Sequence, residues 1–483
     1  MRVQCLTYNG HLTSTQQHDG ASLSDWLIPT LNQARQQRHD NHDSEQDTRP
    51  EFVAIGFQEM LPLHLALLGL SNSSLNQHDF QLTQVLSQHY QSSTFNKQQS
   101  NDQNGYILLA KQCLGAIALL VYVRSDWFDR VRDVRTTSAA TGIFGVMGNK
   151  GGVGVRVVVN KKENDDDDEE EEEEEELEPK ERGHHVLTFV TAHLAAHDRG
   201  LQRRNQDYKS IIERLVFDQN SKSKQWRPKQ GMAKDVFRGQ RFNESVCQIY
   251  DTSCLFVFGD LNYRLSLKKP KSLPLPSLTH KIQNSDFDTL LQHDTLIQQR
   301  RQDATLHHLR EGQIKFKPTY KFKVGTVDTY KSFKKRVPGW TDRILFATWL
   351  DQEDVDQKQD LIPIGQTFSQ NKKENGKVVV EVYTSVPQFT QSDHKPVTAI
   401  ILCPDHDKTN PVQQRKQRLK HSNPFTIDQT WKRKRLIGWL LDRFVGINWC
   451  LLVLLGFNKD ARLGFVNLVA IGLTLYYRGT FGS

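Results

Sequence analysis

Cysteine is scarce in this 483-residue chain, and Cys5, Cys113, Cys247, Cys254, Cys403 and Cys450 form no close pair. Their scatter argues against a disulfide framework and for a reducing, cytosol-facing compartment. The opening stretch MRVQCLTYNG lacks an apolar core, so no signal peptide is expected. No internal repeat is visible. Apolar residues make up only 37% and mean hydropathy is −0.61. Tracts such as NQARQQRHDNHDSEQD and QSSTFNKQQSNDQNG dilute that average, and they read as loop insertions or disordered segments. The remainder is long enough for one large or two ordinary domains, each with a sizeable core.

Net charge is +7, yet Asp165–Glu176 is an unbroken acidic run. Without its twelve acids, 63 basic residues face 44 acidic ones. A remainder so basic suits an anionic partner: nucleic acid, a phosphorylated small molecule or an anionic membrane. The acidic run itself reads as a solvated surface loop, with a pseudo-ligand for the basic site as the sharper alternative.

Short apolar runs recur up to residue 404: Val3–Leu6, Phe52–Phe57, Leu114–Val123, Val153–Val159, Val186–Leu194, Leu255–Phe258, Arg343–Phe346 and Val397–Leu402. Their length and Val, Ile and Phe content predict buried strands. Helical patterns at Leu23–Leu31, Asn205–Phe217 and Ser285–Gln302 lie between some of them. The mixture predicts an α/β or α+β fold with sheets covered by helices. The acidic run lies between two such strands and is expected to extend a hairpin-type connection.

Polar residues close these runs repeatedly. Asn9 ends LTYNG, Glu59 ends IGFQEM, His193 lies in FVTAHLAAH, and Asp260, Asn262 and Arg264 follow in VFGDLNYR. Asp342 opens DRILF, while Asp393 and His394 precede the last strand. Any one of these is ordinarily a cap or a satisfied hydrogen-bond partner. Together, at one sheet edge, they would supply oxygen ligands for Mg²⁺ and imidazoles for phosphate and protons.

The ordered motifs LTYNG, GFQEM, GNKGGV, TAHLAAH, GDLNYRL, KFKPTYKF, PGWTDRIL and SDHKPV resemble those of inositol polyphosphate 5-phosphatases, within the endonuclease/exonuclease/phosphatase superfamily. The resemblance covers residues 1–404 apart from the polar insertions. It implies two packed β-sheets flanked by helices, a four-layer α/β sandwich. It also implies that Glu59 binds Mg²⁺ with Asn9 nearby, and that Asp260 activates water while Asn262 orients phosphate. His193 and His394 would stabilise phosphoryl oxygens, Asp342 would fix the His394 tautomer, and Asp393 would complete hydrogen bonding on the metal side. No Cys-x5-Arg loop is present to suggest a covalent phosphoenzyme.

For substrate choice, the resemblance assigns Tyr320, Lys321, Lys334 and Arg336 to the neighbouring 4-phosphate, with Arg264 beside them. The Gly-rich loop TGIFGVMGNKGG carries Ile143 and Phe144 as candidates for lipid contact, with Asn149 and Lys150 placed to meet headgroup phosphates. An ordinary buried turn is the alternative.

Beyond residue 404 the character changes. Residues 405–435 form a polar, basic linker ending in WKRKR, and 436–483 form a hydrophobic tail. Its uninterrupted pieces, Phe444–Phe457 and Leu463–Tyr477, span about 21–23 Å as helices against a bilayer core of about 30 Å. A helical hairpin, or one tilted span with an interfacial partner, fits equally. The basic flank and the pair Tyr476–Tyr477 favour a membrane over a soluble hairpin.

The expected activity is Mg²⁺-dependent removal of the 5-phosphate from phosphatidylinositol 4,5-bisphosphate, giving phosphatidylinositol 4-phosphate; the 3,4,5-trisphosphate lipid is a second candidate substrate. The arrangement resembles small fungal 5-phosphatases with a tail on the endoplasmic reticulum, and with motifs from residue 7 no N-terminal Sac domain is expected. No nucleic-acid partner is expected. The competing readings are a soluble inositol polyphosphate 5-phosphatase, a nuclease of the same superfamily, and a non-catalytic phosphoinositide-binding membrane tether.

Overall fold

The computed structural model describes residues 1–11, 25–39, 49–91, 105–160, 184–226, 246–266, 275–333, 336–351, 361–362, 364, 367–368, 378–404, 419, 423–457 and 460–481. The acidic run and Lys334 lie outside them.

The strands in the first half are β1 (Arg2–Asn9), β2 (Phe52–Gln58), β3 (Tyr106–Leu114), β4 (Ile117–Arg124), β5 (Val131–Ala140), β6 (Gly151–Asn160), β7 (His184–His193), β8 (Phe217–Asp218) and β9 (Val246–Cys247). Those that follow are β10 (Cys254–Asp260), β11 (Arg310–Gly312), β12 (Asp342–Thr348), β13 (Leu361–Ile362), β14 (Thr367–Phe368), β15 (Val378–Ser385) and β16 (Val397–Leu402). The helices are α1 (Leu27–His39), α2 (Leu63–Leu68), α3 (Ser71–Gln91), α4 (Leu201–Arg214), α5 (Leu275–Gln283), α6 (Phe287–Leu291), α7 (Thr295–Arg300), α8 (Trp431–Leu455) and α9 (Ala461–Phe481).

Two seven-stranded mixed sheets form, in the orders β14-β15-β16-β1-β2-β4-β3 and β13-β11-β12-β10-β7-β6-β5. Strand alternation sorts their side chains. Phe256 and Phe258 of β10 enter the core shared with Phe52, Leu119 and Val121 of the other sheet. Leu255 and Val257 turn the opposite way, toward Tyr208 and Ile211 of α4. On the far side, Val53, Ile55 and Phe57 pack on Leu27 and Leu31 of α1 and Leu82 and Leu86 of α3. Each large apolar side chain so buried contributes roughly 1.5–3 kcal/mol. The four-layer sandwich expected from the motifs is the one that forms.

Register decides where the polar strand ends meet. β1 and β2 run parallel with Asn9 beside Gln58, so Glu59 follows at the same edge. β7 and β10 run parallel with His193 beside Asp260. β12 runs antiparallel, and its first residue, Asp342, pairs with Asp260. Gly259 makes this end possible: its φ of +138° and a Cβ position only 2.1 Å from the Ala192 carbonyl oxygen exclude a side chain.

Several elements differ from the sequence reading. The run Leu114–Val123 is split by Gly115, at φ +51°, into the end of β3 and the start of β4. The Ser285–Gln302 pattern is two short helices, because Asp294 caps α7 by accepting the Ile297 N–H at 3.0 Å. β5, with alternating polar residues, and β15 were not anticipated. WKRKR forms the first turns of α8 itself.

α8 and α9 fold back on one another, Asn467 Nδ2 donating to the Leu455 carbonyl at 2.8 Å. α8, with 25 residues, is long and apolar enough to cross a membrane by length and composition. One of its faces nevertheless lies along the sandwich. Beyond the basic first turn of α8, both helices expose many apolar side chains, as at Leu440, Phe444, Val466 and Leu473.

Candidate active site

Asp260 is the buried centre of the edge. Its Oδ2 accepts Asn9 Nδ2 at 3.0 Å and lies 3.2 Å from His193 Nε2, while its Oδ1 accepts the Asn262 N–H at 3.1 Å. Burial alone would raise its pKa, but His193, His394 and Lys150 outweigh burial and hold it well below the usual carboxylate range. The Lys150 ammonium touches His193 Nε2. Burial depresses the Lys150 pKa, against the pull of Asp260 and Glu59.

His394 forms the opposite wall. Its Nδ1 lies 2.9 Å from Asp342 Oδ2, which also accepts the hydroxyls of Thr319 at 2.7 Å and Thr341 at 3.0 Å. Burial lowers the imidazole pKa, but Asp342, with Asp260 and Asp393 behind it, raises it to about 10. His394 is therefore a cation at neutral pH. Ser392 Oγ ties this wall to β1, accepting the His394 N–H at 3.1 Å and donating to the Asn9 carbonyl at 2.7 Å.

Glu59 sits at φ +49° just beyond β2. Burial opposes its ionisation, yet His11, His193, Lys150 and His394 hold its pKa at about 2. Its imidazole neighbours stand off: His11 Nδ1 is 3.5 Å and His193 Nε2 3.8 Å from its oxygens. An ionised, partly exposed carboxylate with such distant partners, beside the Asn9 amide, suits an oxygen-preferring cation. Asp260, Asp342 and His394 also place possible ligand atoms within 4.8 Å of one another. Asp342 Oδ2 already accepts two hydroxyls and meets the His394 imidazole, so that trio reads as a hydrogen-bonded dyad beside a carboxylate rather than a cage.

A cationic rim surrounds this centre. Tyr320 is buried with its ring 4.5 Å from the His394 ring and 4.5 Å from Arg264 Cζ. Lys321 Nζ contacts Asp393 Oδ2 at 2.5 Å; burial lowers its pKa, and Asp393 more than restores it. Arg264 donates to Asn262 Oδ1 at 2.7 Å, and Asn262 Nδ2 donates to the Leu194 carbonyl at 3.1 Å. Asn262 is thus bonded within the protein on both sides of its amide. His197 lies on the same rim; burial, then the charges of Arg336 and Arg264, lower its pKa.

The structure therefore brings together Asn9, Glu59, Lys150, His193, Asp260, Asn262, Arg264, Tyr320, Lys321, Asp342, Asp393 and His394, with Arg336 at the rim. Asn149 Oδ1 accepts the Ile143 N–H at 3.0 Å and braces the loop. Lys150 points into the polar sheet edge, toward His193. Three site residues escaped the sequence reading. His11 follows Asn9 by two positions, His197 closes a quoted motif without an assigned role, and Thr319 stands beside Tyr320. Their proximity in sequence to motif residues was the available signal.

Comparison with known proteins gives the family and the fold. Residues 6–400 match the family model described as endonuclease/exonuclease/phosphatase family 2. Human synaptojanin-2 is 26% identical over 388 residues, 79% of this chain and 21% of that protein. A probable inositol polyphosphate 5-phosphatase of Schizosaccharomyces pombe is 28% identical over 380 residues, 76% of this chain and 26% of that protein. The chain thus spans about a fifth to a quarter of the length of these relatives. The crystal structure of the inositol polyphosphate 5-phosphatase domain of SPsynaptojanin, with inositol (1,4)-bisphosphate and calcium, shares the fold. It superposes with a TM-score of 0.51 at 21% identity, over 92% of this chain and 89% of that one.

Proposed function

Because the chain belongs to the endonuclease/exonuclease/phosphatase family, we propose that residues 1–404 form an inositol phosphate 5-phosphatase domain acting on phosphatidylinositol 4,5-bisphosphate, with phosphatidylinositol 4-phosphate and phosphate as products. The observation that carries this reading is the edge where Asp260, bonded to Asn9 and close to His193, faces the His394–Asp342 pair inside a rim of cations. The relatives named as phosphatases include human phosphatidylinositol 4,5-bisphosphate 5-phosphatase A, 28% identical over 297 residues, 62% of this chain and 23% of that protein.

Glu59 and Asn9 would hold Mg²⁺, which when bound supplies positive charge to the phosphoryl oxygens. Asp260, ionised by its cationic neighbours, accepts a hydrogen bond from water and receives its proton as the oxygen attacks phosphorus, while the bond from phosphorus to the inositol 5-oxygen breaks and that oxygen leaves as the 5-hydroxyl, taking its proton from solvent. His394, kept protonated by Asp342, and Lys150 beside His193 offset charge on the phosphoryl group. Asn262 acts here through Arg264, which it holds at the rim, and Asp393 holds Lys321. Arg264, Tyr320, Lys321, Lys334 and Arg336 would receive the neighbouring 4-phosphate, where several cationic donors are needed for a dianion.

Lipid contact is supported by Phe144, 84% exposed at φ +55°, by half-exposed Ile143, and by the outer surfaces of α8 and α9. The proposed location is a membrane, with the catalytic domain in the cytosol and the endoplasmic reticulum as the candidate compartment.

The test is phosphate release from phosphatidylinositol 4,5-bisphosphate vesicles with Mg²⁺ and with EDTA, with the lipid product identified. Mg²⁺-dependent phosphatidylinositol 4-phosphate is expected. Cleavage of DNA without release from inositol phosphates or their lipids would overturn the reading. Replacing Ile143 and Phe144 with Ser should lower the rate on vesicles and spare it on a soluble substrate; equal rates on both would remove this loop from the membrane contact.

A further inference from the structure

The tail is joined to the catalytic edge by specific contacts. Trp431, Gly438, Asp442 and Gly446 of α8 are all buried, and with Arg435 they recur every three or four residues, the spacing of one helix face. Two glycines let that face approach. A Cβ on Gly438 would stand 2.0 Å from the Val146 carbonyl oxygen, and one on Gly446 2.5 Å from the Leu68 nitrogen. Arg435 donates to Thr137 Oγ1 at 2.6 Å and the Ser138 carbonyl at 2.9 Å, and Arg443 to the Leu67 carbonyl at 2.5 Å.

Between these contacts the Asp442 carboxylate accepts the Gly148 N–H, at 2.9 Å through one oxygen and 3.1 Å through the other. Gly148 precedes Lys150 by two residues, and Lys150 meets His193. The same loop is held from its other side by α4: Arg203 donates to the Thr141 carbonyl at 2.5 Å and Arg214 to the Gly145 carbonyl at 2.9 Å. Thr141 N–H closes the loop on the Lys150 carbonyl at 2.8 Å. A charged acceptor on a buried amide is a stronger tie than a neutral one.

We infer that α8 is a working part of the catalytic domain, with Asp442 a positioning residue that holds, through the Gly148 amide, the loop carrying Lys150 against His193. The opposite side of α8 presents Leu436, Leu440, Phe444 and Leu451 to the outside. One helix therefore joins an exposed apolar surface to the loop that carries Lys150. The effect on rate rests on the phosphatase reading above; the contact itself does not.

The test uses the full-length protein in neutral detergent with short-chain phosphatidylinositol 4,5-bisphosphate below its critical micelle concentration, where recruitment to a bilayer cannot matter. Asp442→Ala should lower kcat about tenfold with KM within about twofold, the order expected for losing one charge-assisted hydrogen bond. Asp442→Asn should restore most of the rate, because its amide oxygen still accepts the Gly148 N–H. Gly438→Val, which forces the helix off Val146, should reproduce the loss. Hydrogen exchange should quicken over residues 143–150 in Asp442→Ala and Gly438→Val, with the sheet strands unchanged. Wild-type kcat in both variants despite faster loop exchange overturns the inference, as does unchanged loop exchange. An inactive wild type defeats the phosphatase reading instead, while loop exchange still reports whether Asp442 holds Gly148.

Discussion

Asp342 and Arg343 are consecutive residues of β12, and each enters a different buried ionic cluster. Arg343 Nε and one terminal nitrogen bond Glu311 at 2.6 Å each, and the other terminal nitrogen bonds both Asp294 oxygens at 3.1 and 3.2 Å. Tyr383 adds its hydroxyl to Glu311 at 2.6 Å. That cluster is fully buried and saturated. On the other side, Asp342 helps wall a cluster in which several imidazoles and carboxylates face one another without closing. His11 and Glu59 stand 3.5 Å apart, His193 and Glu59 3.8 Å, and His394 and Asp393 3.9 Å. The closed cluster uses its whole bonding capacity to hold strands together. The open one keeps charge in reserve for a ligand, and that reserve distinguishes a site from a strut.

The contrast is sharpest at Asp260. Asp260→Ala should cost roughly 10²–10⁴-fold in kcat, the usual contribution of a positioned base, with circular dichroism unchanged. A variant retaining a tenth of wild-type turnover would refute its role as the base. Glu311→Gln should do the reverse, destabilising the fold by about 3–5 kcal/mol because Arg343 loses a buried partner. Urea titration reads that loss, and the folded fraction should keep its kcat; a catalytic defect without destabilisation would blur the comparison.

Titration tests the open cluster more finely. The His394 pKa is raised, so its stabilising contribution is full below the ordinary imidazole range and fades as pH climbs toward about 10. Asp342→Asn removes the main partner, and the alkaline limb of kcat/KM should move down by about one unit or more. A limb that stays in place would detach His394 from catalysis. Arg336→Ala should have the smallest effect, weakening 4-phosphorylated substrates by about tenfold while sparing those without that phosphate. Equal loss on both would move Arg336 out of the clasp.

The strand-end residues were legible because strand and turn preferences are local: an apolar run followed by Gly259, Asp260 and Asn262 declares its own end. Family motifs then joined six such ends into one site. The closed cluster was not legible, since Glu311, Asp294 and Arg343 come from three distant segments and each reads alone as an ordinary surface charge. His11 and His197 were hidden for a related reason, as single imidazoles in loops acquire meaning only from what folds beside them.

By itself, then, the sequence determined most of the strands, the order of the motifs, the types of the candidate site residues and the apolar character of the tail. Tertiary structure decided the antiparallel entry of β12 that sets Asp342 beside Asp260, and the meeting of Lys150 with His193. It also decided that α8 lies along the sandwich. Gly438, Asp442 and Gly446 look like interruptions in an apolar helix until Val146, Gly148 and Leu68 are placed against them, because a close approach is a property of two surfaces and only one of them is written in any local stretch of chain.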